Sequence, residues 1–342
     1  DWNIFDPLMA EHDVAGYNYQ LHRAKEDHAR VPERVILQTE SYPRHAFANW
    51  KLVNDNSYII GDFVWTALDY LGESGIGRWY YSGEVTGEHY DRDLFPWHAA
   101  YCGDVDLTGW RKPISHYRSM LYNEGEKLYM AVREPQPAPF EIKETLWSVW
   151  PTWESWTWPG FEGKPLEVEV YSKYQKVRLY LNDKLIGEKS TTEKEQFKAT
   201  FPVVYTKGQL KATGLNADGS EAETNILTTA GSSTKIKLTA DRNTVQANGQ
   251  DLAYVTVELV DENGNLQPNA DSILNFQIEG EGALIGIDNA DIKDTDPYVG
   301  KSRKAWHGRA LAVIKTTRKK GDITITVTSP GLPNSKIKIV TN

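Results

Sequence analysis

Ile36-Leu-Gln-Thr-Glu-Ser-Tyr-Pro43 is an apolar run that stops abruptly at a carboxylate and a polar turn. Apolar runs without alternation mark strands buried on both faces, as in parallel sheets. Two similar runs flank it, at 14–19 (VAGYNY) and 59–65 (IIGDFVW), with helix-compatible stretches at 21–30 and 43–54 between them. Strands alternating with helices predict parallel βαβ units, and 114–122 (ISHYRSMLY) predicts a closing helix. In a barrel of parallel strands, catalytic groups stand at the C-terminal strand ends, where Glu40 falls. A strand-terminal Glu alone is more often a loop acid or a helix cap. Its neighbours change that reading. The first run ends in Tyr17, Asn18 and Tyr19, and the third carries Trp65. An amide, phenols, a carboxylate and an indole thus reach one rim. Sugars call for this mix, because their hydroxyls need hydrogen bonds and their C–H faces need a flat aromatic surface. Taken singly, each aromatic reads as core filler.

The chain has 342 residues, which allows two or three domains at about 150 residues each. With 40% hydrophobic and 11% aromatic residues it is not a disordered chain. No apolar run approaches the roughly 18 residues of a spanning helix. A net charge of −9 argues against nucleic acid as a partner. The single cysteine, Cys102, excludes an intrachain disulfide and reads as a small buried hydrophobe. It fits a cytosol and a periplasm alike; the expected location is the bacterial periplasm or outside the cell. The histidines show no metal-ligand spacing and no phosphate-binding Gly-rich loop is present, so no cofactor is evident.

Eleven of the 12 Trp fall at or before Trp158, a shift that predicts different architectures in the two halves. Residues 1–122 read as α/β. Residues 123–139 contain Pro135, Pro137 and Pro139 and read as a stiff linker. Beyond them the pattern is all β. Residues 140–231 predict one β-sandwich, with a hairpin turn at Asn182-Asp183 and another turn at 216–219. Residues 232–342 predict a second, with Val255, Val257 and Leu259 on one strand face and Ile323, Ile325 and Val327 on another. Trp147, Trp150, Trp153, Trp156 and Trp158 crowd one segment. They read either as a carbohydrate-binding platform or as a wedge between domains.

Residues 13–20 (DVAGYNYQ), 35–43 (VILQTESYP) and 61–73 (GDFVWTALDYLGE) resemble barrel strands six, seven and eight of family 2 glycoside hydrolases, the β-galactosidase group. The stretches 156–163, 168–172 and 177–182 resemble the β-sandwich that follows the barrel in many bacterial members. The stretches 239–242, 251–257 and 261–264 resemble a further immunoglobulin-like domain. The family's Gly-x-Gly-Asn turn is replaced there by Gly286-Ile-Asp-Asn289. The resemblance implies a multidomain chain: a partial (β/α)8 TIM barrel, then two immunoglobulin-like β-sandwich domains. It implies a retaining β-galactosidase-like hydrolase with Glu40 as nucleophile and Tyr19 as its hydrogen-bonding partner. Trp65 would wall the sugar subsite, and Asn18 and Asp69 would lie near substrate hydroxyls or in the supporting shell. The partners implied are a β-galactoside or related glycan. The resemblance also favours the wedge for the Trp segment.

A retaining glycosidase needs a second carboxyl about 5–5.5 Å from its nucleophile. In the family this is the Glu of an Asn-Glu pair on barrel strand four. The Asn-Glu pair of this chain, Asn123-Glu124, follows the barrel-like region, and Asp62, Asp69 and Glu73 do not match the position. A whole barrel takes about 250 residues. The expectation is therefore a fragment, inactive alone, whose remaining barrel belongs to a missing N-terminal part. Two other readings stand beside it: a glycan-binding module, and a structural support that helps build a homo-oligomer.

Overall fold

The computed structural model describes residues 2–88, 94–136 and 139–342. The first region runs α1 (Asp6–Met9), β1 (Ala15–Asn18), α2 (Ala24–Arg30), β2 (Ile36–Ser41), α3 (Ala46–Asp55) and β3 (Ile59–Val64). The three strands form one parallel sheet in the order β1-β2-β3, as the alternation of apolar runs and polar stretches predicts. Ala15, Tyr17, Ile36 and Ile59 pack with Leu21 and Ala24 into a small core. Short strands β4 (Tyr70–Leu71), β5 (Trp79–Tyr81) and β6 (Ala99–Ala100) follow. Helix α4 (Pro113–Leu121) then opens on a proline, which has no N–H to leave unpaired.

The first sandwich is built from β7 (Leu128–Arg133), β9 (Thr152–Trp153), β10 (Pro165–Ser172), β11 (Lys176–Leu181), β12 (Lys184–Ser190), β13 (Lys198–Val204), β14 (Gln209–Leu215) and β15 (Glu221–Thr228), while β8 (Ile142–Glu144) pairs elsewhere. One sheet is ordered β13-β10-β7-β9 and the other β12-β11-β14-β15. Val168, Val170, Phe201, Val177, Leu179 and Leu210 from the two sheets share one core, with Trp156 fully buried in it. The Asn182-Asp183 turn joins β11 to β12 with both residues at positive φ, as a two-residue hairpin of this twist requires.

The expected linker at 123–139 is corrected here. Its first part contains β7, a central strand of the sandwich, so the sandwich begins before residue 140. The prolines at 135 and 139 come after this strand; Pro137 and Ala138 lie outside the described residues. β7 is buried on both faces for a specific reason. Leu128, Met130 and Val132 face the sandwich interior. Tyr129 and Ala131 face the first region, where they join Trp50, Tyr117, Met120 and Leu121 of α3 and α4. The chain then returns to the first region, where β8 pairs with β5.

The second sandwich contains β16 (Lys235–Ala240), β17 (Thr244–Val245), β18 (Leu252–Val260), β19 (Ile273–Gly280), β20 (Gly282–Asp288), β21 (Ser302–Lys304), β22 (Arg309–Thr316), β23 (Gly321–Thr328) and β24 (Ser335–Thr341). Its sheets are ordered β16-β18-β22-β20 and β17-β24-β23-β19-β21. The alternating residues Val255, Val257, Leu259, Ile323, Ile325 and Val327 all point into its core. It also touches the first region directly: the His98 ring lies 2.6 Å from the Tyr298 hydroxyl.

Glu169 of β10 is 2% exposed and bridges three strands. It accepts hydrogen bonds from Arg133 Nε at 2.6 Å on β7, Lys198 Nζ at 2.7 Å on β13, and Tyr171 at 2.6 Å. Burial pushes its carboxyl up, but Lys198 and Arg133 outweigh that and hold it below its ordinary 4.5. A depressed folded-state pKa gives stability that is present above about pH 4.5 and lost as pH falls through the folded value. Glu169→Gln is therefore expected to flatten the acid limb of a Tm-versus-pH curve. It should also cost about 3 kcal/mol at pH 7 in urea unfolding, since two cations lose their buried partner.

Candidate active site at three strand ends

The C-terminal ends of β1, β2 and β3 are level. Asn18 pairs with Glu40 across the β1–β2 ladder. Tyr19 N–H donates to the Glu40 carbonyl at 2.9 Å, and Trp65 N–H donates to the Ser41 carbonyl at 2.9 Å. This backbone stitching brings Asn18, Tyr19, Glu40 and Trp65 to one rim. Glu40 is half-buried. Asn18 is exposed, and its amide oxygen accepts from the Thr39 hydroxyl at 3.0 Å.

Tyr19 sits in an aromatic nest. Its ring is 4.5 Å from Tyr42 and 5.9 Å from Trp147, and Tyr42 lies 5.2 Å from the same indole. Trp147 Nε1–H donates to the Tyr19 hydroxyl at 2.8 Å. Burial raises the pKa of Tyr19 well above the ordinary phenol value, and the adjacent Glu40 carboxylate adds to the rise. The phenol therefore stays protonated and can donate to Glu40. On the opposite flank Trp65 Nε1–H donates to the Tyr70 hydroxyl at 3.0 Å, and Tyr70 donates in turn to Glu73.

Trp147 comes from the segment leading into the first sandwich, far from Tyr19 in sequence. Arg44, just past the end of β2, donates to the carbonyls of Thr145 and Leu146. The Thr145 hydroxyl donates to the Arg78 carbonyl at 2.7 Å. Sequence reasoning placed Trp147 in the Trp-rich segment and did not assign Tyr42 or Tyr70 to the site. Nothing local in the chain marks these contacts.

The segment is mostly a wedge. Trp156 is buried and donates to the Thr206 carbonyl at 3.0 Å. Trp153 donates to Glu134 at 2.6 Å and stacks on His307 at 3.8 Å. Trp150 lies under Arg133 at 5.3 Å.

Asp69 is a correction. As a substrate-contacting residue it does not fit, because it is 1% exposed. It pairs with Lys112 Nζ at 2.8 Å and accepts from Gly103 N–H at 2.8 Å. A side chain at Gly103 would fall 2.2 Å from the Asp69 nitrogen, so this packing admits only glycine there. Burial pushes the Asp69 carboxyl up to about 6 even though Lys112 opposes the rise. Asp69 thus braces the loop after β3 rather than facing solvent. Asp62 of β3 turns toward α3, where it accepts from Asn49 at 3.4 Å. Asn123-Glu124 lies in a turn after α4 that includes Asn123 at positive φ.

Comparison with known proteins gives the family of the chain. Residues 236–338 match a family model described as glycoside hydrolase family 2 C-terminal domain 5. Residues 163–223 match a domain of unknown function, DUF4982. A beta-galactosidase of Bacteroides ovatus is 31% identical over 292 residues, covering 84% of this chain and 29% of that protein. A beta-glucuronidase of Formosa agariphila is 27% identical over 212 residues, covering 61% of this chain and 21% of that protein. A crystal structure of a family 2 glycosyl hydrolase from Bacteroides cellulosilyticus superposes with a TM-score of 0.90 at 37% identity, over 98% of this chain and 43% of that one. The chain belongs to glycoside hydrolase family 2 and corresponds to a C-terminal portion of its members. It spans under a third of these curated relatives and under half of the solved one.

The Asp69–Lys112 pair yields a stability prediction with a defined sign. A folded-state pKa raised to about 6, above the ordinary 3.8, means a contribution present below about pH 4 and lost as pH rises through 6. Lys112→Met leaves the carboxylate without its cation and should cost about 3–5 kcal/mol at neutral pH. Urea unfolding should show a visibly smaller loss at pH 5 than at pH 8.

Proposed function

We propose that the rim at the ends of β1, β2 and β3 is the nucleophile half of a retaining β-glycosidase site. In this reading the three strands are the last three of a (β/α)8 barrel, and the sandwiches are immunoglobulin-like accessory domains. The observation that carries it is Glu40 at a parallel strand end, beside a half-buried phenol that stays protonated. A Glu40 oxygen attacks the anomeric carbon as the bond to the leaving oxygen breaks, forming a glycosyl ester. A second carboxylic acid supplies the proton to the leaving oxygen. It then takes a proton from the water that cleaves the ester. Tyr19 donates to Glu40 and orients it, and Trp147 fixes the Tyr19 hydroxyl. Trp65 walls the subsite, and Asn18 offers its amide to a sugar hydroxyl.

The second carboxyl is assigned to protein outside this chain. Asp69 is committed to Lys112, Asp62 turns toward α3, and Glu73 is held by Tyr70. The likeness to a beta-galactosidase supports a terminal β-galactoside as the substrate class. The full-length protein carrying this chain is the material for the test. Treated with a 2-deoxy-2-fluoro-β-galactosyl fluoride, it should gain one fluorosugar on the peptide that contains Glu40, read by mass spectrometry. Glu40→Gln should abolish the label and lower kcat by at least about 10³-fold. Labelling of another carboxylate, or a kcat unmoved by Glu40→Gln, sinks the reading. The isolated chain should not hydrolyse a nitrophenyl β-galactoside.

A further inference from the structure

A cavity of about 130 Å³ opens where the first region and both sandwiches meet. Its wall includes Trp110 of the first region, Trp153, Glu154 and Trp158 of the segment entering the first sandwich, and Asn269 and Arg309 of the second. Trp110, Trp153, Glu154 and Arg309 also line a smaller cavity of about 40 Å³.

Arg309 is 6% exposed, and its Nε and Nη1 have no hydrogen-bond partner among the described residues. Its Nη2 lies 3.9 Å from Asp106, beyond hydrogen-bond reach, and its guanidinium lies 3.7 Å over the Trp110 ring. Nε and Nη1 are closed off by the atoms packed around them, so Nη2 is the guanidinium nitrogen left to meet an oxygen in the cavity. The nearby carboxylates are engaged to different degrees, and Asp106 turns its Oδ2 toward Arg309 while Oδ1 takes its hydrogen bonds. Asp106 accepts from Thr108 and Trp110, and Glu134 from Tyr81 and Trp153. Glu154 has, among the described residues, a single long hydrogen bond of 3.5 Å, from Tyr129.

We propose that this junction is a second saccharide site, taking one neutral pyranose ring of a glycan. A ring hydroxyl accepts from Arg309 Nη2 and others donate to Glu154, while the C–H face rests on indole surface. A neutral ring fits better than an anion, because Asp106, Glu134 and Glu154 surround one guanidinium. His307 adds no cation, since burial, reinforced by Arg309, pushes its pKa down to about 3. One face of Trp153 is already covered by His307, which leaves Trp158 and the other Trp153 face for the sugar.

The inference does not rest on the proposed hydrolysis, and one experiment separates them. Indole N–H signals of the intact chain, assigned through Trp110→Phe and Trp153→Phe, are followed by NMR during titration with xylose, glucose, galactose and glucuronate. The neutral sugars should shift the Trp110 and Trp153 signals saturably, with glucuronate binding more weakly. Glu154→Ala should weaken binding about ten-fold, and Arg309→Lys should weaken it while the fold persists by circular dichroism. Glu40→Gln should leave the shifts unchanged. Unmoved indole signals with every sugar, or equal affinity in the Glu154→Ala variant, overturn the proposal. Loss of the shifts in Glu40→Gln would place the binding at the strand ends and overturn it as well. Loss of fluorosugar labelling with these shifts intact overturns only the catalytic reading.

Discussion

Two backbone hydrogen bonds, from Tyr19 to the Glu40 carbonyl and from Trp65 to the Ser41 carbonyl, hold three strand ends level. The candidate site depends on that alignment. Parallel strands with helical crossovers all run in one direction, so the side chains just past their ends collect on one rim. A slip of one residue in β2 would turn Glu40 to the other face of the sheet and bring Thr39 or Ser41 to the rim. The bulge between Tyr17 and Asn18 sets the local register that pairs Asn18 with Glu40.

The sandwiches are coupled to this rim through side chains. β7 gives one face to the sandwich core and the other to α3 and α4. Arg44 grips the segment that carries Trp147, and Trp147 donates to Tyr19. Movement of the first sandwich would therefore be felt at the Tyr19 hydroxyl. On the far side, Trp153, His307, Arg309 and Trp110 interlock the second sandwich with the rest. Such contacts, partly aromatic and partly ionic, hold three bodies together without one continuous apolar core.

Much of the architecture was readable from residue patterns. The apolar runs ending at Asn18, Glu40 and Trp65 gave the parallel sheet, and the alternation at Val255–Leu259 and Ile323–Val327 gave core faces of the second sandwich. The start of the first sandwich at residue 140 failed for a physical reason. Leu128–Arg133 is short and apolar, and the prolines behind it dominated the local signal. Of the two places expected for Asp69, the packing leaves the supporting shell. An acid after a strand end looks like a rim residue until Lys112 and Gly103 fold over it.

Periodicity and composition are local properties, and local properties sufficed for the parallel strands of the βαβ units, for the hairpin at Asn182-Asp183 and for Glu40 at a strand end. The Tyr19–Trp147 hydrogen bond, the burial of Asp69 against Lys112 and the stacking of Arg309 on Trp110 join residues that are remote in the chain. Each depends on which bodies pack together and on what water is thereby excluded. No pattern within a single segment encodes that, because the partner lies on a different segment and the desolvation that raises or lowers each pKa exists only after the three bodies have met.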